Sequence, residues 1–161
     1  MNQNLIKAVN VQISDEFDSA FLYLSMSVCC EGQLGLPGFA HWLRNQYEEE
    51  LSHALRFIDY MQQRMMMPSI RGASIPNKDF GTPEHIFIAV LENEETVTTL
   101  IHSLYELAVK EKDYALQVEL QWFITEQVEE EKSASDILER IRMVSGSPDG
   151  LLRIDTELAK R

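Results

Sequence analysis

The sequence predicts an all-α protein, a bundle of four long helices followed by a short fifth helix at the C-terminus. Apolar residues recur at steps of three and four over long stretches, which is the spacing of one helix face, and no stretch shows the alternation of a β-strand. Glycine and proline, which interrupt helices, are concentrated in three segments, residues 32–38, 68–83 and 145–150. The helices between these segments are each roughly 30 residues long, a length that suits a four-helix bundle.

The first two helices are delimited by these segments. We expect the first helix to run from Asn4 to Glu31, where the glycine-rich segment begins. The second begins near Pro37, because proline is favoured in the first helical turn. It is expected to end near Met67, because Pro68 cannot continue a helix.

The remaining helices have clearer starts. Thr82 is the expected N-cap of the third helix, with Pro83 in its first turn, and this helix is expected to end near Lys112. The fourth is predicted over 113–144, with Asp113 as its cap, and the short fifth helix follows Pro148. The connection between the second and third helices is about 15 residues long, which predicts a crossover along the bundle.

Composition limits the classes of partner. The chain has 161 residues, expected to form one domain over 1–161, and a formal net charge of -12. That charge argues against nucleic acid and against an anionic membrane surface, and it attracts cations. No apolar run is long enough for a membrane span, and the N-terminus lacks the apolar core of a signal peptide. Cys29 and Cys30 are adjacent and predict no disulfide framework, so a cytoplasmic protein is expected.

Each of the four long helices has a stripe of apolar residues along one face, which we call its seam. Each seam is interrupted by one carboxylate near its middle. These residues are Glu16, Glu50, Glu94 and Glu130. A buried carboxylate without a partner costs several kcal/mol, and these seams carry no lysine or arginine. Four carboxylates would be neutralised by two divalent cations, so the pattern predicts a two-metal centre.

His53 supports this interpretation, because it lies three residues after Glu50 on the same side of the second helix. Glu-x-x-His is the spacing found in carboxylate-bridged di-metal bundles. Mostly oxygen ligands with one imidazole favour iron(II) or manganese(II), with zinc as a competitor. The other three histidines do not share a helix face with a seam acid in this way, and they are interpreted as ordinary helix residues. They are His41, His85 and His102.

A second acidic group lies beside the first. Glu49 precedes Glu50, and Glu126, Glu129 and Glu130 share a face of the fourth helix by steps of three and four. Spacing alone leaves two interpretations open, a solvated acidic patch and a third metal site next to the pair.

Four stretches of the chain resemble the bacterial non-haem ferritins, and the resemblance covers nearly the whole sequence. They are DEFDSAFLYLSM (15–26), YEEELSHALRFIDYM (47–61), LENEE (91–95) and LQWFITEQVEEEK (120–132). The resemblance implies a single ferritin-like domain, a ferroxidase that oxidises Fe(II) with dioxygen or peroxide, and a homo-oligomeric cage of 24 subunits that stores ferric mineral.

The resemblance also implies roles for individual residues. Glu16, Glu50 and His53 would form one ferroxidase site, and Glu50 would bridge to a second. The second site would be completed by Glu94 and Glu130, with Gln127 close by.

A third iron site and two aromatic neighbours are implied by the same resemblance. The third site would use Glu49, Glu126, Glu129 and Glu130. Tyr23 matches a tyrosine beside the centre, suited to electron transfer or hydrogen bonding, and Trp122 matches a nearby aromatic residue, although both are also consistent with a core role.

Two positions of this sequence differ from the pattern of the related bacterioferritins. Ser52 stands where bacterioferritins carry a haem-ligating methionine, so no haem is expected, and Gln127-x-x-Glu130 replaces their second Glu-x-x-His. The methionines at 65–67 are open to two interpretations, soft copper(I) binding or packing at a helix end or subunit contact.

Two other functions remain as alternatives. One is a non-storage di-iron oxidase or peroxidase on the same bundle. The other is a structural bundle whose acids lie on the surface, which the occurrence of an acid in every seam disfavours.

Overall fold

The computed structural model describes residues 1–74 and 79–160, and within these ranges the chain is helical with no β-strand. The helices are α1 (Gln3–Gly32), α2 (Pro37–Gln63), α3 (Pro83–Lys110), α4 (Tyr114–Met143) and α5 (Pro148–Leu158). The predicted four-helix bundle with a short fifth helix is therefore confirmed. Within the described ranges, no helix is both long enough and apolar enough to cross a membrane.

Contacts at the two ends of the bundle define its topology. α1 packs along α2, α3 packs along α4, and α1 also contacts α3. At one end, Arg64 after α2 forms a paired hydrogen bond with Asp113, the N-cap of α4, at 2.9 and 3.0 Å. At the other end, Glu84 in the first turn of α3 bonds Arg142 in the last turn of α4 at 2.9 Å. The chain therefore crosses the length of the bundle between α2 and α3.

Part of this crossover lies against α1. The backbone N–H of Ser69 donates to the side chain of Asn10 at 2.7 Å, and that of Ser74 donates to Asp18 at 2.7 Å. Residues 75–78 of the predicted connection, and Arg161 at the end of the predicted domain, lie outside the described residues.

The end of α2 differs from the prediction. The helix ends at Gln63 rather than near Met67, because Met65 adopts a left-handed conformation with φ 57°. The N–H of Met66 then donates to the carbonyl of Met61 at 2.9 Å, which is the closing bond of a Schellman motif. Met66 packs against the core while Met65 and Met67 are exposed, so one of the three methionines packs at the helix end as proposed.

Among the described residues, the buried apolar side chains form two clusters, one toward each end of the bundle. One includes Phe39 and Phe87, whose rings meet edge to face at 5.7 Å. The other includes Phe57 and Phe123, whose rings stack at 4.0 Å. In all four long helices the seam acid lies between the two clusters, so the apolar packing on both sides isolates the acids from solvent.

The short helix α5 completes the first turn of α2. The N-cap position of α2, Leu36, has no side-chain acceptor to offer. Instead, the buried carboxylate of Asp155 in α5 accepts a hydrogen bond from the N–H of Phe39 at 2.9 Å. The backbone of α5 also approaches Gly38 so closely that an added Cβ would lie 1.7 Å from the carbonyl oxygen of Asp155.

The substitution Gly38→Ala is expected to reduce the free energy of unfolding by about 2–3 kcal/mol, since the new methyl group must displace α5 and weaken the cap that it supplies. Urea unfolding followed by far-UV circular dichroism measures this change. Gly32→Ala is the matched control, because an added Cβ there meets no atom within 4 Å. Equal free energies of unfolding for the two variants would contradict the close packing of α5 against the first turn of α2.

Candidate metal centre

The four seam acids lie buried at the middle of the bundle, one on each long helix. Glu16 and Glu50 are 0% exposed, Glu94 is 1% exposed and Glu130 is 4% exposed. The expectation that all four seams bury a carboxylate is therefore confirmed.

Glu16, Glu50 and His53 form a tight group of potential ligands. Their ligand atoms all lie within 4.8 Å of one another, with His53 Nδ1 3.4 Å from Glu50 Oε2 and 3.9 Å from Glu16 Oε2. Among the described residues, no amide, ring N–H or hydroxyl group donates a hydrogen bond to Glu16 Oε2 or to either oxygen of Glu50. Buried polar atoms normally have partners, so these three oxygens indicate a site for a cation.

Glu94 is held by two donors on its own side of the centre. The hydroxyl of Tyr23 donates to Glu94 Oε1, and Gln127 Nε2 donates to Glu94 Oε2 at 3.1 Å and to its backbone carbonyl at 3.2 Å. Asn93 Nδ2 donates to the Tyr23 hydroxyl at 3.1 Å, which turns the phenolic hydrogen toward Glu94. Because the Gln127 nitrogen is committed to Glu94, only its carbonyl oxygen is suited to bind a metal.

Burial dominates the protonation of these carboxyl groups. It raises the pKa of Glu16 and of Glu50 well above the usual range, and the neighbouring carboxylates add to the effect. Burial also raises the pKa of Glu94, against the hydrogen bonds from Tyr23 and Gln127, and raises that of Glu130 to about 7. A cation that binds here therefore displaces protons.

Three of the four residues of the second acidic group lie close together in the structure. Glu49, Glu126 and Glu130 bring one carboxylate oxygen each to within 4.8 Å of the others. Glu49 and Glu126 are half-buried, and Glu130 is also one of the four buried seam acids. Glu129 is exposed and lies outside this group of three, so its role as a ligand stays a prediction.

Trp122 forms the wall of the centre beside His53. Its ring meets the His53 ring edge to face at 5.5 Å. The guanidinium of Arg56 lies 4.0 Å from the centroid of the Trp122 ring and bonds Glu119 at 2.5 Å. Trp122 thus separates the imidazole from a charged side chain at the surface.

The remaining histidines lie away from the centre. His85 belongs to the N-terminal cap of α3, where its N–H donates to Thr82 Oγ1 at 3.3 Å in a capping box. His41 and His102 are exposed helix residues. None of the three belongs to either group of potential ligands among the described residues, in agreement with the sequence interpretation.

Sequence reasoning did not find three polar neighbours of the centre. Gln12 Nε2 donates to Glu16 Oε1 at 2.8 Å, and Gln46 Nε2 donates to Glu130 Oε2 at 2.7 Å. Asn93, which bonds Tyr23, is the third. Gln12 lies four residues before Glu16, the acid that it bonds, and this spacing is a signal in the sequence. Gln46 lies four residues before Glu50 but bonds Glu130 on α4, a contact that no spacing indicates.

A helical bundle that buries four carboxylates and a histidine at its middle defines a class, the carboxylate-rich metal-binding bundles. The family model of the ferritin-like domain matches residues 6–144. The bacterial non-heme ferritin of Bacteroides fragilis (strain 638R) is 38% identical over 161 residues, covering 100% of this chain and 99% of that protein. A probable bacterial non-heme ferritin-like protein of Haemophilus influenzae is 32% identical, covering 98% of this chain and 95% of that protein.

Solved structures agree with these relatives. An open pore ferritin from the hyperthermophilic archaeon Archaeoglobus fulgidus superposes with a TM-score of 0.98 at 40% identity, covering 100% of this chain and 98% of that chain. The chain therefore belongs to the ferritin family, and the resemblance stated from the sequence is confirmed.

Proposed function

We propose that this protein is a ferroxidase and iron store, which oxidises Fe(II) to Fe(III) with dioxygen at a pair of iron sites inside each chain. Membership of the ferritin family supports iron storage and ferroxidase activity in general. The observation that carries the proposal is the buried group of Glu16, Glu50 and His53, with three carboxylate oxygens that lack hydrogen-bond donors among the described residues.

The charge of the centre supports two divalent ions. Four ionised carboxylates carry four negative charges, and two Fe(II) ions carry four positive charges, so occupancy removes the cost of burying the acids. One site would use Glu16, Glu50 and His53. The other would use Glu94 and Glu130, with Glu50 shared between the two and the Gln127 carbonyl nearby.

In this proposal the residues bind, orient and exchange protons with the substrate iron. Fe(II) supplies the electrons that dioxygen takes up. Iron binding competes with protons at these carboxyl groups, because burial raises the pKa of Glu16 and of Glu50. Tyr23 keeps its phenolic hydrogen on Glu94, since burial raises the pKa of Tyr23 well above 10.0.

The second acidic group extends from the buried centre toward the surface. Glu130 is one of the four buried seam acids and also a member of the second acidic group, and Glu49 and Glu126 are half-buried, so oxygen ligands continue outward from the centre. We propose that iron leaving the pair passes this group and is stored as ferric mineral in a hollow homo-oligomer, of 24 subunits by family analogy, in the cytoplasm. We propose no haem, because the residue before His53 is Ser52, which has no thioether sulfur for a haem iron and whose hydroxyl donates to the Glu49 carbonyl at 2.7 Å.

Aerobic loading with Fe(II), followed by gel filtration and iron analysis, tests the storage function. We expect far more iron per chain than the proposed sites hold, eluting with a particle much larger than one chain. Iron equal in number to the sites would favour the alternative, a non-storage di-iron oxidase or peroxidase. An absence of retained iron would contradict the metal centre itself.

A further inference from the structure

Three glutamine side chains are buried around the centre, and each donates its amide N–H to a different seam glutamate. Gln12 Nε2 lies 2.8 Å from Glu16 Oε1, and Gln46 Nε2 lies 2.7 Å from Glu130 Oε2. Gln127 Nε2 donates to Glu94 Oε2 at 3.1 Å, and Glu94 differs from the other two because its Oε1 also accepts a hydrogen bond, from Tyr23. Gln12 is 2% exposed and Gln46 is 0% exposed, so solvent does not compete for these bonds.

Glu50 differs from the other three seam glutamates in that no glutamine amide donates to it. Among the described residues, no amide, ring N–H or hydroxyl group donates a hydrogen bond to either of its oxygens, and its only hydrogen-bonding neighbour is the carboxyl group of Glu16. Glu16 is an intermediate case, because Gln12 occupies Oε1 while Oε2 has no donor among the described residues and lies 3.9 Å from His53 Nδ1. The amide donors are therefore distributed unevenly over the four carboxylates.

This distribution has a consequence for metal binding. A free carboxylate binds a cation through one oxygen or through both, and it rotates between these modes. An N–H donor on one oxygen fixes the orientation of the group and leaves the other oxygen for the metal. A carboxylate without a donor keeps both oxygens for metal.

We propose that Gln12 and Gln46 are positioning residues that hold Glu16 and Glu130 each to one metal-binding oxygen, which leaves Glu50 as the carboxylate open to both ions. This inference rests on the proposed metal centre and adds to it the residues that set how its carboxylates bind. Gln12 acts along one turn of α1 on Glu16, while Gln46 acts from α2 on a carboxylate of α4.

A purely structural role for these glutamines makes a different prediction. If they only fill space and satisfy their own amide groups, their replacement lowers the stability of the fold but leaves the coordination of a bound metal unchanged. The coordination of the metal therefore has to be measured directly, apart from oxidation activity.

The test uses Co(II) as the probe, because its visible absorption reports coordination number and geometry and because it needs no oxidation chemistry. Gln12→Leu and Gln46→Leu remove the amide donor at similar volume. We expect each to weaken Co(II) binding by about 10–100-fold and to change the shape and intensity of the Co(II) spectrum. Gln117→Leu is the matched control, since that amide donates to the Ala108 carbonyl at 3.2 Å.

Different results would overturn the positioning role of the glutamines and the metal centre itself. Unchanged Co(II) affinity and spectrum in a folded Gln12 or Gln46 variant would overturn the positioning role of that residue, while binding by the unmodified chain would leave the metal centre standing. Failure of the unmodified chain to bind Co(II) would overturn the metal centre itself. If a leucine variant does not fold, as judged by circular dichroism, the methionine variant at the same position is subjected to the same comparison.

Discussion

The substitution Glu50→Gln is expected to slow aerobic Fe(II) oxidation by on the order of a hundredfold or more, because even residues that merely support metal ligands contribute tenfold to a hundredfold. Glu50 is the fully buried carboxylate whose two oxygens both lack donors among the described residues, and it lies 3.4 Å from His53. Glutamine has the same shape but is neutral and offers one oxygen to a metal. Stopped-flow mixing with oxygen, followed by the absorbance of the ferric product, measures the rate.

The control for this variant is Glu48→Gln, two residues earlier on the exposed side of α2. It removes the same charge without touching the centre, and it is expected to oxidise iron at the unmodified rate. Glu50→Gln should also raise the melting temperature of the metal-free protein at neutral pH, because it removes a buried carboxylate without donors. Oxidation by Glu50→Gln as fast as by Glu48→Gln would remove Glu50 from the centre.

Raising the pH is expected to destabilise the metal-free protein. The pKa of Glu130 is raised from 4.5 to about 7 by burial and by the charge of Glu94. Below pH 4.5 the group is protonated in both states, and between pH 4.5 and about 7 it ionises only in the unfolded chain, so stability falls through this window. The loss reaches about 3 kcal/mol for Glu130 alone, and Glu16 and Glu50 act in the same direction.

Thermal unfolding between pH 5 and pH 8 in the presence of a chelator measures this effect. We expect the melting temperature to fall by roughly 5–10 °C over the range. Added Zn(II), which has no redox chemistry, should reverse the trend, because a cation competes better as the carboxyl groups lose their protons. Asp113 does not contribute, since its bond with Arg64 lowers its pKa and keeps it ionised throughout. A melting temperature that rises with pH in chelator would contradict the burial of these acids.

The parts of this structure that follow from short-range patterns could be predicted from the sequence. The positions of the four seam acids could be predicted, because a carboxylate stands out in a stripe of apolar residues spaced by three and four. All four are buried in the structure. The start of α3 followed from Thr82 and Pro83, whose cap chemistry is local. The end of α2 could not be predicted in the same way, because Met65 takes a left-handed conformation that the sequence pattern assigns to glycine or asparagine.

The parts that depend on contacts between distant segments were not predictable from the pattern. Gln46 reads as a surface residue of a helix, and only the approach of α4 shows that it donates to Glu130. The spacing of Gln12 to Glu16 does not by itself indicate a buried contact, because glutamine is a common helix residue on any face. Glu129 shares a sequence spacing with Glu126 and Glu130 but is exposed, because steps of three and four cover a wider arc of the helix than the acidic group uses.

The cap that Asp155 supplies to α2 also bears on the order in which the chain is made. Asp155 lies 116 residues after Phe39, from whose N–H it accepts a hydrogen bond, so α5 must be synthesised before the first turn of α2 finds its partner. Until then, Glu50 and His53 stand on a helix that begins without a cap. A chain truncated before α5 therefore keeps the candidate metal ligands but lacks the contact that caps the helix that carries Glu50 and His53.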